Sequence, residues 1–297
     1  MSDNLRGALL MMAAMAGFTL SDACVKLVVD EVPLFQVIFL RGLVSSIVFL
    51  LLAWRMGALR LPVRAADHRL IGWRTATEVL AAGFFLTALV NMPLANATAI
   101  MQSMPLTLTL ASALFLGERV GMRRWTAVAL GFVGVLLIVR PGAEGFSVYS
   151  LYALAAVVCV TGRDIATRRL SPEVPSLVVA LVATLGVTVV FGVAAAATGG
   201  WVMPSARGLA LLAGTSLFVV AGYLFSVLMM RRGEVSVVAP FRYTSLIWAL
   251  VLGSLLFGDW PDGLTLAGVA IIVVTGSFTL WRAGRKAPAV PVAPREP

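Results

Sequence analysis

Thr19, Asp22, Lys26 and Pro33 recur 142 residues downstream as Thr161, Asp164, Arg168 and Pro175, with every spacing kept. Both sets lie in apolar stretches, where charge is costly, so a duplicated charged pattern strongly constrains the fold. A second alignment agrees: Ala95–Glu118 matches Ser236–Asp259 at an offset of 141, setting Gly117-Glu118 against Gly258-Asp259. The chain therefore reads as two copies of one unit, residues 1–145 and 146–286. A Pro- and Ala-rich tail, 287–297, is expected to be disordered.

Lipid is the expected solvent for most side chains. Charged residues make up 12% of the chain and hydrophobic ones 60%, whereas soluble domains carry about 25% charge. Crossing a bilayer core needs roughly 20 apolar residues. Ten such helices are expected: Leu5–Val29, Leu34–Trp54, Leu70–Val90, Ala95–Leu116 and Arg124–Val139, then Tyr149–Leu170, Ser176–Ala197, Leu209–Met230, Val235–Phe257 and Leu264–Trp281. Runs this uniformly apolar do not alternate as barrel strands do, so the class is an all-α integral membrane protein. The first run has the outline of a signal peptide but no convincing cleavage site. It leads straight into the charged motif and is taken as a span.

The formal net charge of +9 sits in short arginine clusters between spans rather than on one basic face, which argues against nucleic acid. Sixteen Lys and Arg side chains fall on one set of connections; only Arg140 and Arg207 fall on the other. The excess of positive charge in cytoplasmic loops then places both termini in the cytoplasm, which requires an even number of spans. Five spans per copy is odd, so the second copy is expected to enter inverted, around a central cavity.

Asp22 with Lys26, and Asp164 with Arg168, are spaced i, i+4 and so share a helix face. They read either as an outer and an inner gate, broken and remade in alternation, or as static pairs snorkelling toward the headgroups. Arg41 and Arg242 lie deeper and have no acid one turn away. Each is a candidate for contact with a solute, the rival being a structural pair with Glu78 or Asp22. Tyr243, Trp248, Met101 and Gln102 follow Arg242 or match it across the repeat, and suit a pocket for a partly apolar organic solute or plain helix packing. Arg74 and Glu78 read as an interfacial pair, and Arg163 as pointing to another face than Asp164. Pro105 and Pro240 should bend spans four and nine. Gly131, Gly134, Gly268 and Gly276 permit close helix approach, for packing or a homodimer contact.

Enzymatic chemistry finds little support. Cys24, Cys159 and the single histidine, His68, fit no metal, redox or disulfide spacing. There is no Ser/His/Asp set, no metal-binding motif and no nucleotide-binding loop, so neither catalysis nor a cofactor is expected. Proton coupling through Asp22, Asp164 or Glu78 and ion-free exchange both remain open.

Several landmarks resemble the EamA-type branch of the drug/metabolite transporter superfamily. They are Met92-Pro93-Leu94-Ala95-Asn96-Ala97-Thr98-Ala99-Ile100, Phe115-Leu116-Gly117-Glu118-Arg119, and Gly131-Phe132-Val133-Gly134-Val135-Leu136-Leu137-Ile138 ending at Arg140-Pro141-Gly142. The second copy adds Ala239-Pro240-Phe241-Arg242-Tyr243 and Phe257-Gly258-Asp259-Trp260-Pro261, with Asp259 in place of the more usual Glu. The resemblance implies alternating-access carriage of a small organic metabolite across a bacterial inner membrane. Riboflavin and S-adenosylmethionine importers and amino-acid exporters are among such proteins; the opening Asn4–Met12 looks closer to the importers. The rival of another class is a membrane scaffold or sensor that transports nothing.

Overall fold

The structure, a computed structural model, describes residues 3–60, 64–118, 120–142, 146–171, 173–230 and 235–284. Arg119, Glu144, Arg231, Arg232 and the tail expected to be disordered lie outside them. Every regular element among the described residues is helical. The first copy contains α1 (Asp3–Val28), α2 (Leu34–Arg55), α3 (Ala65–Asn91), α4 (Leu94–Met101), α5 (Met104–Phe115) and α6 (Met122–Val139). The second contains α7 (Val148–Arg168), α8 (Ser176–Ala197), α9 (Ala206–Met230), α10 (Val235–Val238), α11 (Thr244–Phe257) and α12 (Gly263–Gly284).

Among the described residues, nine segments are long and apolar enough to cross a membrane. The tenth expected span is α3. It is long enough, but Arg74 and Glu78 lie inside its would-be membrane stretch. Pro33 and Pro175, equivalent in the repeat, precede α2 and α8 at the cap position, where a fixed φ suits a helix start. Broad apolar surfaces face outward, as on α2, where Leu43, Val44, Ile47 and Leu51 are exposed. Lipid is the medium that accepts such a face.

The two prolines inside spans do more than bend them. Span four breaks into α4 and α5 at Gln102-Ser103, with Pro105 in the first turn of α5. Span nine breaks into α10, a 3₁₀ turn over Ala239–Tyr243 containing Pro240, and α11. Gln102 bridges the two breaks: its amide nitrogen donates to the Arg242 carbonyl at 2.9 Å and contacts the Ser245 hydroxyl.

Helices of one copy pack on helices of the other. α1 lies along α9, α3 along α7, α2 along α8, α6 along α12, and α4 against α11. Taken span by span, with spans four and nine packing on each other, exchanging the copies maps this set of partners onto itself. The equivalent residues Ser46 and Thr188 meet at the α2–α8 crossing, hydroxyl to hydroxyl at 3.3 Å. At the α6–α12 crossing, a Cβ on Gly134 would approach the Gly268 carbonyl to 2.8 Å, and one on Gly268 the Gly134 carbonyl to 2.6 Å. Gly131 packs under Leu106, and Gly276 under Tyr243. All four glycines are thus used inside the chain.

At the end of α6, Arg140 adopts φ 49°, a left-handed conformation that side chains other than glycine rarely take. Its guanidinium compensates by binding the Asp262 carboxylate and, at 3.3 Å, the Thr265 hydroxyl, so α6 is tied to the start of α12. That contact, with the Thr265 N–H, holds the Asp262 carboxyl well below its ordinary range. A depressed carboxyl stabilises the fold above the unfolded carboxylate range and loses its contribution as pH falls through the folded value. Asp262→Asn should therefore lower the melting temperature slightly at neutral pH and weaken its decline below about pH 4. Melting curves of both proteins across pH check this. Solvent screening keeps the effect small, since 56% of the Asp262 side chain is exposed.

Candidate functional site

One helical face after another turns toward a cavity of about 650 Å³ between the copies. On α1 the face runs Met11, Met15, Phe18, Thr19 and Asp22; on α2, Ile38, Arg41, Gly42, Ser45 and Phe49; on α3, Arg74, Glu78, Ala81, Ala82 and Phe85. These spacings of three and four mark single faces. Further faces come from α7, α8 and α9, and the breaks of spans four and nine add Met101, Gln102, Arg242 and Ser245. The volume suits a small organic ligand, and the lining is mainly apolar with a few polar groups. Phe49 and Tyr223 meet edge to face within it, ring centres 4.6 Å apart.

The cavity is closed at one end. Val28, Val32, Val37, Leu89, Leu94 and Ile100 are fully buried in one continuous core. All but Ile100, which lies next to the span-four break, sit at the end of the bundle where α1 and α3 finish and α2 and α4 begin. The cavity lies on the other side of this plug, toward the end where α1 starts and α9 finishes.

Polar groups in the cavity form two sets. In the first, Arg163 joins Asp164 at 2.8 Å and Glu78 at 3.3 Å. Arg74 reaches Glu78 at 3.9 Å and donates to the Thr167 hydroxyl at 3.0 Å and the Val179 carbonyl at 3.3 Å. This set has two cations and two anions. In the second, Asp22 and Arg41 face each other within electrostatic reach without closing to ion-pair distance. Arg242, at the span-nine break, has an Nε with no hydrogen-bond partner among the described residues.

The sequence expectations fare unevenly. Asp22, Arg41, Glu78, Met101, Gln102, Arg163 and Arg242 do converge on one cavity. Tyr243 and Trp248 do not line it; Tyr243 is buried against α12, and Trp248 is half-buried. Neither i, i+4 pair forms. Lys26 instead donates to the Met92 carbonyl at 2.7 Å and the Leu89 carbonyl at 3.3 Å, with Phe257 beneath its ammonium. Arg168 pairs with Glu118 at 3.2 Å and with the Ser112 hydroxyl at 3.1 Å. A long cation can reach another helix, and better acceptors there outcompete a neighbour one turn away. Arg74 and Glu78 do pair, but on the cavity wall rather than at an interface. Arg163 turns onto Asp164 rather than away from it, because a long guanidinium can fold back on its neighbour while also reaching Glu78. The i, i+3, i+4 spacing of Met11, Met15, Phe18 and Thr19 around Asp22 would have revealed the apolar wall, which polar residues alone did not.

The chain matches the EamA-like transporter family over residues 5–140 and again over 148–281. It is 30% identical over 217 residues to a riboflavin transporter of Vibrio cholerae, covering 71% of this chain and 72% of that one. It is 28% identical to an S-adenosylmethionine uptake transporter of Rickettsia conorii, covering 88% and 87%. It is 26% identical to the pseudopaline exporter CntI of Pseudomonas aeruginosa, covering 90% and 93%. A solved crystal structure shares the fold with a TM-score of 0.65 at 22% identity, over 94% of this chain and 98% of that one.

Proposed function

The chain belongs to the EamA-like transporter family, and from that premise we propose a secondary transporter that carries a small organic metabolite across the bacterial inner membrane by alternating access. It is a multi-pass membrane protein, as its apolar helices require. The observation that carries the proposal is the cavity: lined by both copies, plugged at one end, and crossed by two broken spans at its centre. Broken helices at mid-depth are where carriers hold their solutes. The exchange-symmetric packing of the copies supports an inverted five-helix repeat. With the arginine-rich connections in the cytoplasm, the plug is periplasmic and the cavity faces inward.

Across the repeat, Arg168 corresponds to Lys26, and Glu118 to Asp259. The paired set, Arg168 with Glu118, lies at the open cytoplasmic end, and the set that is only within electrostatic reach, Lys26 with Asp259, lies at the plugged end. These ion pairs are therefore not what closes the plug, where Lys26 instead binds the Leu89 and Met92 carbonyls.

Riboflavin and S-adenosylmethionine are the first solutes to test, with export of amino acids or related metabolites as the alternative. Protein-dependent flux of any of these in proteoliposomes supports a carrier. Binding with no flux of any solute would point to a sensor or scaffold. A homodimer remains a further proposal, to which the four interior glycines contribute nothing.

A further inference from the structure

We propose that the transported solute carries an anionic group, a carboxylate or its chemical equivalent, and that Arg242 is the residue that binds it. The inference rests on the carrier reading above and narrows the substrate class for the same cavity, favouring S-adenosylmethionine and amino-acid-like metabolites, which carry a carboxylate, over neutral riboflavin.

Charge accounting leads there. Arg74 and Arg163 are balanced by Glu78 and Asp164 within one connected network. Arg41 is opposed by Asp22. Arg242 is the fourth cation against three acids: Asp164 lies within its electrostatic reach but is already paired with Arg163, no acid among the described residues forms an ion pair with Arg242, and its Nε lacks any hydrogen-bond partner. A guanidinium stays charged at every physiological pH, so it cannot relieve the deficit by losing a proton. An enclosed charge without a counter-ion is unfavourable, and a solute that supplies one binds with that much advantage.

The setting is built to present this group. Arg242 sits on the 3₁₀ turn between α10 and α11, and its carbonyl is anchored by Gln102 from the opposite break. Met15, Phe18, Phe49, Phe85 and Tyr223 supply an apolar wall for the rest of the solute. An amphipathic organic anion fits this combination; a cation with no acidic group does not.

Matched acids and amides test the idea on the purified full-length protein. Indole-3-acetate, phenylacetate and N-acetyltryptophan would be compared with indole-3-acetamide, phenylacetamide and N-acetyltryptophanamide by thermal shift and calorimetry. The acids are expected to stabilise the wild type and the amides to do so much less. Arg242→Gln should weaken acid binding roughly 10- to 100-fold, the range expected for losing a charge-assisted hydrogen bond, and amide binding less than about twofold. Arg242→Lys, which keeps the charge, should retain part of the acid preference and guards against a folding defect in the glutamine variant. Acids and amides acting alike, a response to no acid, or acid selectivity surviving Arg242→Gln would each overturn the assignment. Proteoliposome flux separates this from the carrier reading: flux of a neutral solute refutes the anion but keeps the carrier, whereas no protein-dependent flux refutes the carrier.

Discussion

Arg163→Gln is expected to destabilise the protein by about 3 kcal/mol, the lower end of the cost of breaking a buried ion pair. Arg163 is the hub of the charged network, held by Asp164 at 2.8 Å and Glu78 at 3.3 Å, and all three side chains are about a quarter exposed. Removing the guanidinium leaves Asp164 without an ion-pair partner among the described residues, and Glu78 with only Arg74 at 3.9 Å. The low end applies because the cavity admits water, which screens the remaining charges. The melting temperature in detergent should fall on the order of 5–10 °C. Adding Asp164→Asn removes the stranded carboxylate and should recover part of the loss, since neighbouring charges do not add independently. A shift within 2 °C, on the order of measurement scatter, would show that the network carries little stability.

Asp22→Asn and Arg41→Gln should act on transport more than on folding. The two groups face each other across the cavity between α1 and α2 without direct contact, so each single change strands one charge beside the solute path. Flux in proteoliposomes is expected to drop about tenfold or more in each single variant. The double variant should transport better than either, with an interaction free energy of about 1 kcal/mol or more. Independent, additive losses would mean that Asp22 and Arg41 do not work as a unit.

How much of this was legible in the chain depends on which residues are asked. The duplicated Thr-Asp-cation-Pro pattern gave the two copies, and Pro105 and Pro240 marked the broken spans, because both signals are local to the chain. Arg41, Arg242, Glu78 and Gln102 stood out as polar groups in apolar surroundings, and the cavity gathers them. Partner choice was not legible. Spacing placed Lys26 beside Asp22, but the ammonium reaches the α3 carbonyls of Leu89 and Met92, which only packing brings near. Tyr243 looked like a cavity residue because it adjoins Arg242, yet the 3₁₀ turn sends it to the other side, against Gly276. Arg74 looked interfacial because α3 was expected to start near residue 70; the helix begins at Ala65, which moves Arg74 deeper.

The central claim is that one cavity faces the two sides of the membrane in turn. Met101, at the span-four break, lines its centre. In a variant lacking Cys24 and Cys159 and carrying Met101→Cys, a membrane-impermeant thiol reagent would be applied from one face of oriented vesicles and then, in separate samples, from the other. Alternating access predicts modification from either face, with a transported solute shifting the balance between them and no ion conductance. Modification from one face only, whatever solute is present, would contradict the account.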